Sequence, residues 1–183
     1  MKNLAVVTFI FMLLALPAGQ ANAVEIAAPA AALAYRSKDI GADGRVEQLR
    51  AFLASHNSPL AGDAQTFIDE AERHNLDWRL VAAIAGVEST FGKHIPTGSN
   101  NAWGWGVFTG TNDGVHFKDW AEGIAVISEG LRKKYIDRGA TTIYEIGWIY
   151  AANGDSWGNH VQYFINQINQ FMPTTPDLLA VTI

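Results

Sequence analysis

The sequence contains no cysteine, and this absence excludes disulfide bonds, thiol catalysis and zinc sites built on thiolates. Basic residues are also few: 13 Lys and Arg face 18 Asp and Glu, for a formal net charge of −5. A chain with this balance and no polybasic run is not expected to bind nucleic acid or to adhere to anionic polymers through long-range attraction. Stability must therefore come from packing, and a ligand must be held by short-range contacts.

Several motifs that carry chemistry are missing as well. The five histidines lack the H-E-x-x-H spacing of zinc enzymes. The glycines of residues 104–110 do not match G-x-G-x-x-G, and no G-x-S-x-G elbow is present. The sequence thus predicts no metal and no other cofactor, and it supports neither a nucleotide site nor a serine hydrolase.

The N-terminus has the parts of a secretory signal peptide over residues 1–23. Lys2 precedes an apolar run over residues 4–16, and Ala21-Asn22-Ala23 offers small residues before the expected cleavage point. An uncleaved anchor is the alternative, but this run is short for a bilayer. We expect an exported protein, periplasmic, cell-wall associated or secreted, with no stable membrane insertion after cleavage.

The rest of the chain reads as one mainly α-helical domain. Its composition, 49% hydrophobic and 17% charged, is globular. Residues 24–43 form an Ala/Pro-rich flexible lead-in, residues 44–173 the folded domain and residues 174–183 a tail.

Helical spacing of apolar residues predicts about six helices, over 45–56, 63–75, 78–91, 119–138, 142–152 and 157–172. Residues 93–117 are rich in Gly and Trp and predict a small loop or β-hairpin lobe that turns at 111–114. We expect a monomer.

Helix ends are marked by residues with capping chemistry. The expected N-terminal caps are Asp77, Asp119 with Glu122, and Thr142 with Glu145. Gly92 is placed for the left-handed residue that ends the helix over 78–91, and Pro173 for the end of the last helix. Residues 153–156 are expected to form a turn before that last helix.

Glu88 is the candidate active-site residue. It shares a helical face with Val81, Ile84 and Ala85, and it is the only acid in residues 78–112. If that face is buried, desolvation and the negative end of the helix dipole both favour the neutral acid, as a general acid requires. The alternatives are a carboxylate held by backbone amides or a salt bridge, or one that is simply solvated.

Two blocks carry a resemblance to a known family. Residues 88–92, ESTFG, and 100–106, NNAWGWG, resemble the Glu-Ser start and the Asn-Asn-aromatic-Phe/Trp-Gly block of bacterial autolysin-type endo-β-N-acetylglucosaminidases. These enzymes, with the mannosyl-glycoprotein endo-β-N-acetylglucosaminidase-like domain, belong to the lysozyme-like superfamily and are related to lytic transglycosylases. Residues 117–124 and 150–153, with Trp157 and Val161, are similar to the later helices, so the resemblance covers about residues 46–171.

The resemblance implies a lysozyme-like fold and a glycosidase. It implies that the partner and substrate is the glycan strand of peptidoglycan, cut at β-1,4 bonds between amino sugars, and that Glu88 is the general acid. The side chains of Asn100 and Asn101 suit an N-acetyl group, and Trp103 and Trp105 offer flat faces to sugar rings. The alternatives are that the Asn pair makes turn contacts and that one Trp closes the core.

Three further residues are candidates for substrate binding. Tyr150 lies on the helix that lines the cleft in these families, and it either bonds a sugar or orients Glu88, unless it is a core Tyr. Asn153 has similar alternatives or simply ends a helix. Ser89 either bonds the Glu88 carboxylate or caps backbone groups.

The reaction outcome depends on a second carboxylate. Hydrolysis with two carboxylates needs another acid across the scissile bond, and the lobe offers only Asp113, because Asp119 and Glu122 are expected to cap a helix. Glucosaminidase-type hydrolysis is the first expectation. A lytic transglycosylase, which needs a single acid and leaves an anhydro-muramic end, is the alternative. A non-catalytic glycan-binding module is the alternative from another class.

Overall fold

The computed structural model describes residues 44–106, 114–151 and 153–173. Within these ranges the chain forms helices and turns without a β-strand. The six α-helices are α1 (44–55), α2 (Ala64–Arg73), α3 (Leu80–Ser89), α4 (Trp120–Gly130), α5 (Ile143–Tyr150) and α6 (Gly154–Gln170). A 3-10 turn, Pro59–Asp63, precedes α2, and a π-helical turn, Leu131–Tyr135, and a 3-10 turn, Ile136–Arg138, follow α4. The predicted class, mainly helical with about six helices, is confirmed.

Some predicted segments lie outside the described residues. These are the signal peptide (1–23), the lead-in (24–43), the tail (174–183) and most of the hairpin turn, which includes Asp113. The described parts of the predicted lobe, 93–106 and 114–117, are irregular chain, joined by a bond from the Val115 N–H to the Trp105 carbonyl at 3.1 Å. In the described ranges, no helix has the length and apolar character needed to cross a membrane.

Two predicted caps explain where α4 and α5 begin. Asp119 accepts a hydrogen bond from the Glu122 N–H at 2.8 Å, and Thr142 and Glu145 form a complete capping box. The Glu122 carboxylate bonds the Lys118 N–H rather than the cap residue itself. These carboxylates serve backbone N–H groups that a helix end leaves unpaired, which is the structural role predicted for them.

Three predicted segments have wrong boundaries, one of them by more than a turn. The expected turn at 153–156 is instead the start of α6, because Asn153 accepts from the Ser156 N–H at 3.3 Å and so caps a helix that begins at Gly154. The predicted helix over 78–91 is α3, shorter at both ends. The predicted helix over 119–138 is α-helical only to Gly130, after which it widens into the π-helical turn.

Helix α3 runs through the core. Its residues from Leu80 to Gly86 are all buried, and it packs mainly against α6, with α2 and α4 also in contact. A Cβ on Gly86 would lie 2.9 Å from the Phe164 ring, so glycine permits the close approach of α6. The helical face that Glu88 shares with Val81, Ile84 and Ala85 is thus buried, and so are the other sides of α3 until its last turn, where Glu88 emerges.

Helices α5 and α6 meet through glycines. A Cβ on Gly147 would lie 2.6 Å from the Gly154 carbonyl oxygen, and a Cβ on Gly154 would lie 2.6 Å from the Trp148 nitrogen. No larger residue fits at either position without moving a backbone. This contact brings Tyr150, at the end of α5, next to Trp157, in the first turn of α6.

Candidate active site

A cleft of about 980 Å³ opens at the C-terminal end of α3. The last turn of α3, the loop that follows it, the loop around Gly104 and the end of α5 form its walls. Its lining residues are Glu88, Ser89, Lys93, His94, Ile95, Pro96, Thr97, Asn101, Gly104, Tyr150 and Ala151. The size suits a small or medium ligand, and it exceeds that of two other cavities, of about 180 and 280 Å³.

The chain reverses sharply just after Glu88. Thr90, Phe91 and Gly92 all have left-handed backbone, with φ of 53°, 60° and 81°. This conformation is costly for a β-branched or aromatic residue. It persists because the Phe91 ring is fully buried, 5.5 Å from the Phe52 ring and 4.9 Å from the Phe164 ring. The reversal ends α3 at the point where Glu88 reaches the cleft.

The Glu88 side chain is exposed to the cleft but its carboxyl group is held by protein. Oε1 accepts a hydrogen bond from the Trp157 indole N–H at 2.6 Å. Oε2 lies 3.3 Å from the position that a Cβ on Gly104 would occupy. Gly104 has φ of +63°, so glycine serves both the turn and the approach to the carboxyl group. The helix end, the loop and α6 together fix where the acid sits.

Burial of the carboxyl group among these neighbours raises the pKa of Glu88 above its usual value, and the hydrogen bond from Trp157 opposes part of that rise. The direction and its main cause, desolvation, agree with the prediction. The neighbours of the carboxyl group, Trp157 and Gly104, come from separate segments that converge at the end of α3. Glu88 therefore keeps its proton to a higher pH than a solvated glutamic acid does.

Tyr150 connects this acid to the loop. Its hydroxyl donates to the Trp103 carbonyl at 2.6 Å, and its ring stacks on Trp157 with centroids 5.0 Å apart and planes 26° apart. Burial, followed by the negative charges of Glu88 and Tyr135, raises the pKa of Tyr150 well above its usual value. The hydroxyl stays protonated and donates to this backbone carbonyl, while Tyr150 both packs against the core and borders the cleft.

Trp103 is a core residue, and its expected stacking on sugar is wrong. The ring has 0% of its surface exposed, and its indole N–H donates to the Val81 carbonyl on α3 at 2.9 Å. A Cβ on Gly123 would lie 2.6 Å from the ring, so a glycine in α4 makes the hollow that the indole fills. Burial of so large an apolar surface outweighs any ligand contact that the ring could make at the surface.

Trp105 is half-buried. Its ring packs against the surface of α4, and the residue does not line the cleft. Its ring packs over Gly130, where a Cβ would come within 2.7 Å. The Lys134 ammonium lies 5.0 Å from the ring centroid, and the Tyr135 ring lies 6.4 Å away. The alternative in which one Trp closes the core thus applies to Trp103 rather than to Trp105.

The two asparagines organise the loop from within. The Asn101 amide group donates to the carbonyls of Trp105 (2.8 Å) and Val115 (2.9 Å), and its Oδ1 accepts from the Trp105 N–H (3.0 Å). Asn100 has φ of 47° and donates to the carbonyl groups of Phe117 and Lys118. These are the turn contacts of the alternative reading, although Asn101 also borders the cleft.

Ser89 and Asn153 likewise bond backbone groups. The buried Ser89 hydroxyl donates to the Ala102 carbonyl at 2.7 Å and accepts from the Gly92 N–H at 2.8 Å. It thereby ties α3 to the loop that carries Gly104. Asn153 is exposed and caps α6. The structure brings Glu88, Ser89, Asn101 and Tyr150 to one cleft and leaves the other described candidates outside its lining.

Two features of the cleft were not predicted from the sequence. Residues 93–97, KHIPT, line one part of the cleft, and they belong to the predicted lobe but to neither block of the resemblance. The Lys93 ammonium donates to the His56 carbonyl at 2.9 Å, and the His94 ring lies 3.2 Å from the Thr90 hydroxyl. The other feature is Trp157, whose contact with Glu88 spans 69 positions. The motif order included Trp157 but did not indicate its role.

No group of three or more His, Asp or Glu side chains among the described residues is arranged to hold a metal ion. Comparison of the sequence with protein-family models gives no match, and comparison with curated proteins gives none. The family resemblance therefore stays a prediction, and the case for function depends on the geometry around Glu88.

Proposed function

We propose that the protein is an exported peptidoglycan glycosidase that cleaves β-1,4 bonds between amino sugars, with Glu88 as the general acid. The observation that carries the proposal is a glutamic acid with a raised pKa, held by one indole N–H, on the wall of an open 980 Å³ cleft. A carboxyl group that keeps its proton can protonate the departing glycosidic oxygen as the bond from oxygen to the anomeric carbon breaks.

The character of the cleft supports a sugar substrate. Hydroxyl and imidazole groups stand beside small apolar surfaces along its walls, at Thr97, His94 and Pro96. Such a mixture offers hydrogen bonds to hydroxyl and N-acetyl groups and contact with the faces of sugar rings. The choice of peptidoglycan comes from the sequence resemblance, and export of the chain is a part of the same proposal.

Two outcomes of bond cleavage fit this acid. Glucosaminidase-type hydrolysis remains our first proposal, because the loop block is closer to that family. Lytic transglycosylation is supported by one observation: Glu88 is the single acid among the described residues that line the cleft. In that reaction the sugar's own 6-hydroxyl attacks the anomeric carbon, so the second carboxylate is not required.

Digestion of purified sacculi tests the proposal. Wild-type protein should release soluble fragments, and Glu88→Gln should release none while it still binds the polymer, because the amide keeps the shape but has no acidic proton. An unchanged digestion rate in this variant would show that Glu88 is not the acid. Lys118→Ala, at an exposed residue outside the cleft lining, is the matched control.

Mass spectrometry of the fragments distinguishes the two outcomes. Reducing N-acetylglucosamine ends support hydrolysis of the glucosaminidase type, and anhydro-muramic ends support transglycosylation. Reducing N-acetylmuramic ends would identify a muramidase instead. Binding to sacculi without release of fragments by the wild type, at any pH from about 4 to about 8, would favour a glycan-binding module.

A further inference from the structure

Trp157 is the residue that holds the acid. Among the described residues, its indole N–H is the hydrogen-bond donor to the Glu88 carboxyl group, at 2.6 Å. The indole nitrogen can donate but cannot accept a hydrogen bond. Oε1 must therefore be the accepting oxygen in both charge states of Glu88. When the acid is protonated, the proton belongs on Oε2, which lies beside Gly104 on the cleft wall.

The indole is itself fixed on several sides. Trp157 has 5% of its surface exposed. A Cβ on Gly147 would lie 3.0 Å from its ring, so α5 presses on one edge, and the Tyr150 ring covers one face. A side chain held in this way loses little further freedom when it binds Glu88, so the hydrogen bond orients the acid at small entropic cost.

The contacts close a circuit that begins and ends on α3. The Trp103 indole donates to the Val81 carbonyl on α3, and the Trp103 carbonyl accepts from the Tyr150 hydroxyl. Tyr150 stacks on Trp157, which donates to Glu88 in the last turn of α3. Each position in the circuit is set by two neighbours, so the carboxyl group is positioned by contacts with the core.

We propose that Trp157 is the positioning residue of the general acid: its N–H holds Oε1, so that the acidic proton sits on Oε2 and faces the cleft. This inference rests on the proposed function. A neutral donor is suited to the role, because a Lys or Arg at the same place would stabilise the carboxylate strongly and remove the acid. The indole orients the group and leaves it protonated.

Other groups that face the carboxyl group have to be considered in any test against pH. From α5 the facing group is Tyr150, whose hydroxyl stays protonated, and from the loop after α3 they are Lys93 and His94 on the cleft wall. From α6 it is Trp157, which does not titrate. A change confined to the Trp157 N–H leaves the other three groups in place, so a shift in the Glu88 titration reports the hydrogen bond.

The test is Trp157→Phe, which keeps an aromatic ring and deletes the N–H. Labelling with glutamate carrying ¹³C at Cδ allows the Glu88 carboxyl group to be titrated by NMR, with Glu88→Gln identifying its resonance. We expect the Glu88 titration to move to higher pH than in the wild type, because the donor to the carboxylate is gone. On sacculi, the alkaline limb of the rate profile should move in the same direction, and the maximal rate should fall about tenfold or more.

Trp78→Phe is the control, because it also removes an indole N–H, but at the other end of α3 and outside the cleft lining. It should leave both the titration and the rate profile unchanged. If Trp157→Phe does not fold by circular dichroism, 3-benzothienylalanine at position 157 replaces the N–H with sulfur in a ring of nearly the same shape, and the same shifts are expected.

The two proposals fail in different ways. Identical Glu88 titrations in wild type and a folded N–H deletion overturn the positioning role, whatever the activity. If the wild type cuts no glycan, the proposed function is overturned. A shifted Glu88 titration in the N–H deletion would still support the hydrogen bond from Trp157 to Glu88. A slower variant with an unmoved titration and an unmoved alkaline limb also overturns the positioning role, since packing alone would then explain the loss.

Discussion

Trp103 in the loop and Trp157 at the start of α6 both bury an indole and donate its N–H, but to partners of different kinds. Trp103 donates to a backbone carbonyl of α3, and Trp157 donates to the Glu88 carboxyl group. A backbone carbonyl has one charge state, so the first bond only joins two segments. A carboxyl group has two, so the second bond also affects chemistry. The two indoles are similarly buried but have different roles. The Trp103 indole stabilises the fold, and the Trp157 indole positions an acid.

Among the variants that test this comparison, Trp103→Ala should have the largest effect, and the effect is on the free energy of unfolding. Loss of a fully buried indole should lower the free energy of unfolding by about 4 kcal/mol. Urea unfolding followed by far-UV circular dichroism measures the change, with Lys118→Ala as a surface control. Unchanged stability together with weaker glycan binding would show that the Trp103 ring contacts substrate after all.

Asn101→Ala should have a smaller effect in the same region. It removes two donors and an acceptor that serve Trp105 and Val115, and backbone groups left unpaired cost about 2 kcal/mol of unfolding free energy. Thermal unfolding at a fixed scan rate checks this result. Full stability with reduced affinity for chitin oligomers would favour direct N-acetyl recognition instead.

Gly104→Ala tests where the loop meets the acid. The left-handed backbone makes alanine cost about 1 kcal/mol, and the new Cβ would lie 3.3 Å from Glu88 Oε2. We expect a larger loss of glycan cleavage than of stability, because the methyl group occupies the space beside the acidic proton. Equal activity in wild type and variant, measured on sacculi at the optimal pH, would place the reacting bond elsewhere in the cleft.

The smallest expected effect is on how the stability of the folded protein varies with pH. Since the folded protein raises the pKa of Glu88, the folded state binds this proton more tightly than the unfolded state does. The contribution is therefore favourable at pH below the unfolded pKa and is lost as pH rises through the folded pKa. Glu88→Gln should be the more stable protein at neutral pH, and its advantage should disappear in acid. A pH-independent difference in the melting temperature would contradict the raised pKa.

Much of the helical framework could be predicted, because its signals are local. Thr142 and Glu145 form the expected capping box three residues apart, and Asp119 caps α4 as expected. The start of α6 could not be placed, because Asn153 is equally suited to a turn and to an N-terminal cap. The left-handed run from Thr90 to Gly92 was anticipated only at the glycine, since the burial of Phe91 that sustains it is a tertiary contact.

The candidate site likewise contains some residues whose role could be predicted from local sequence and others whose role could not. Glu88 was identifiable as a lone acid at the end of an apolar helix, a feature of neighbouring residues. The roles of Trp103 and Asn101 could not be read from composition, because a Trp or Asn in a Gly-rich loop has the same local sequence whether it points inward or outward. Residues 93–97 belong to the predicted lobe, but their sequence did not indicate that they, among its residues, line the cleft.

The sequence by itself determined a mainly helical chain with capped helix starts and one glutamic acid at the end of an apolar helix. Only the tertiary structure decided which indole meets that acid and which closes the core. The physical reason is range: helical period and capping act over three or four residues, whereas the bond from Trp157 to Glu88 spans 69 positions. It depends on the glycines that let α5 and α6 approach closely enough to bring the indole to the end of α3.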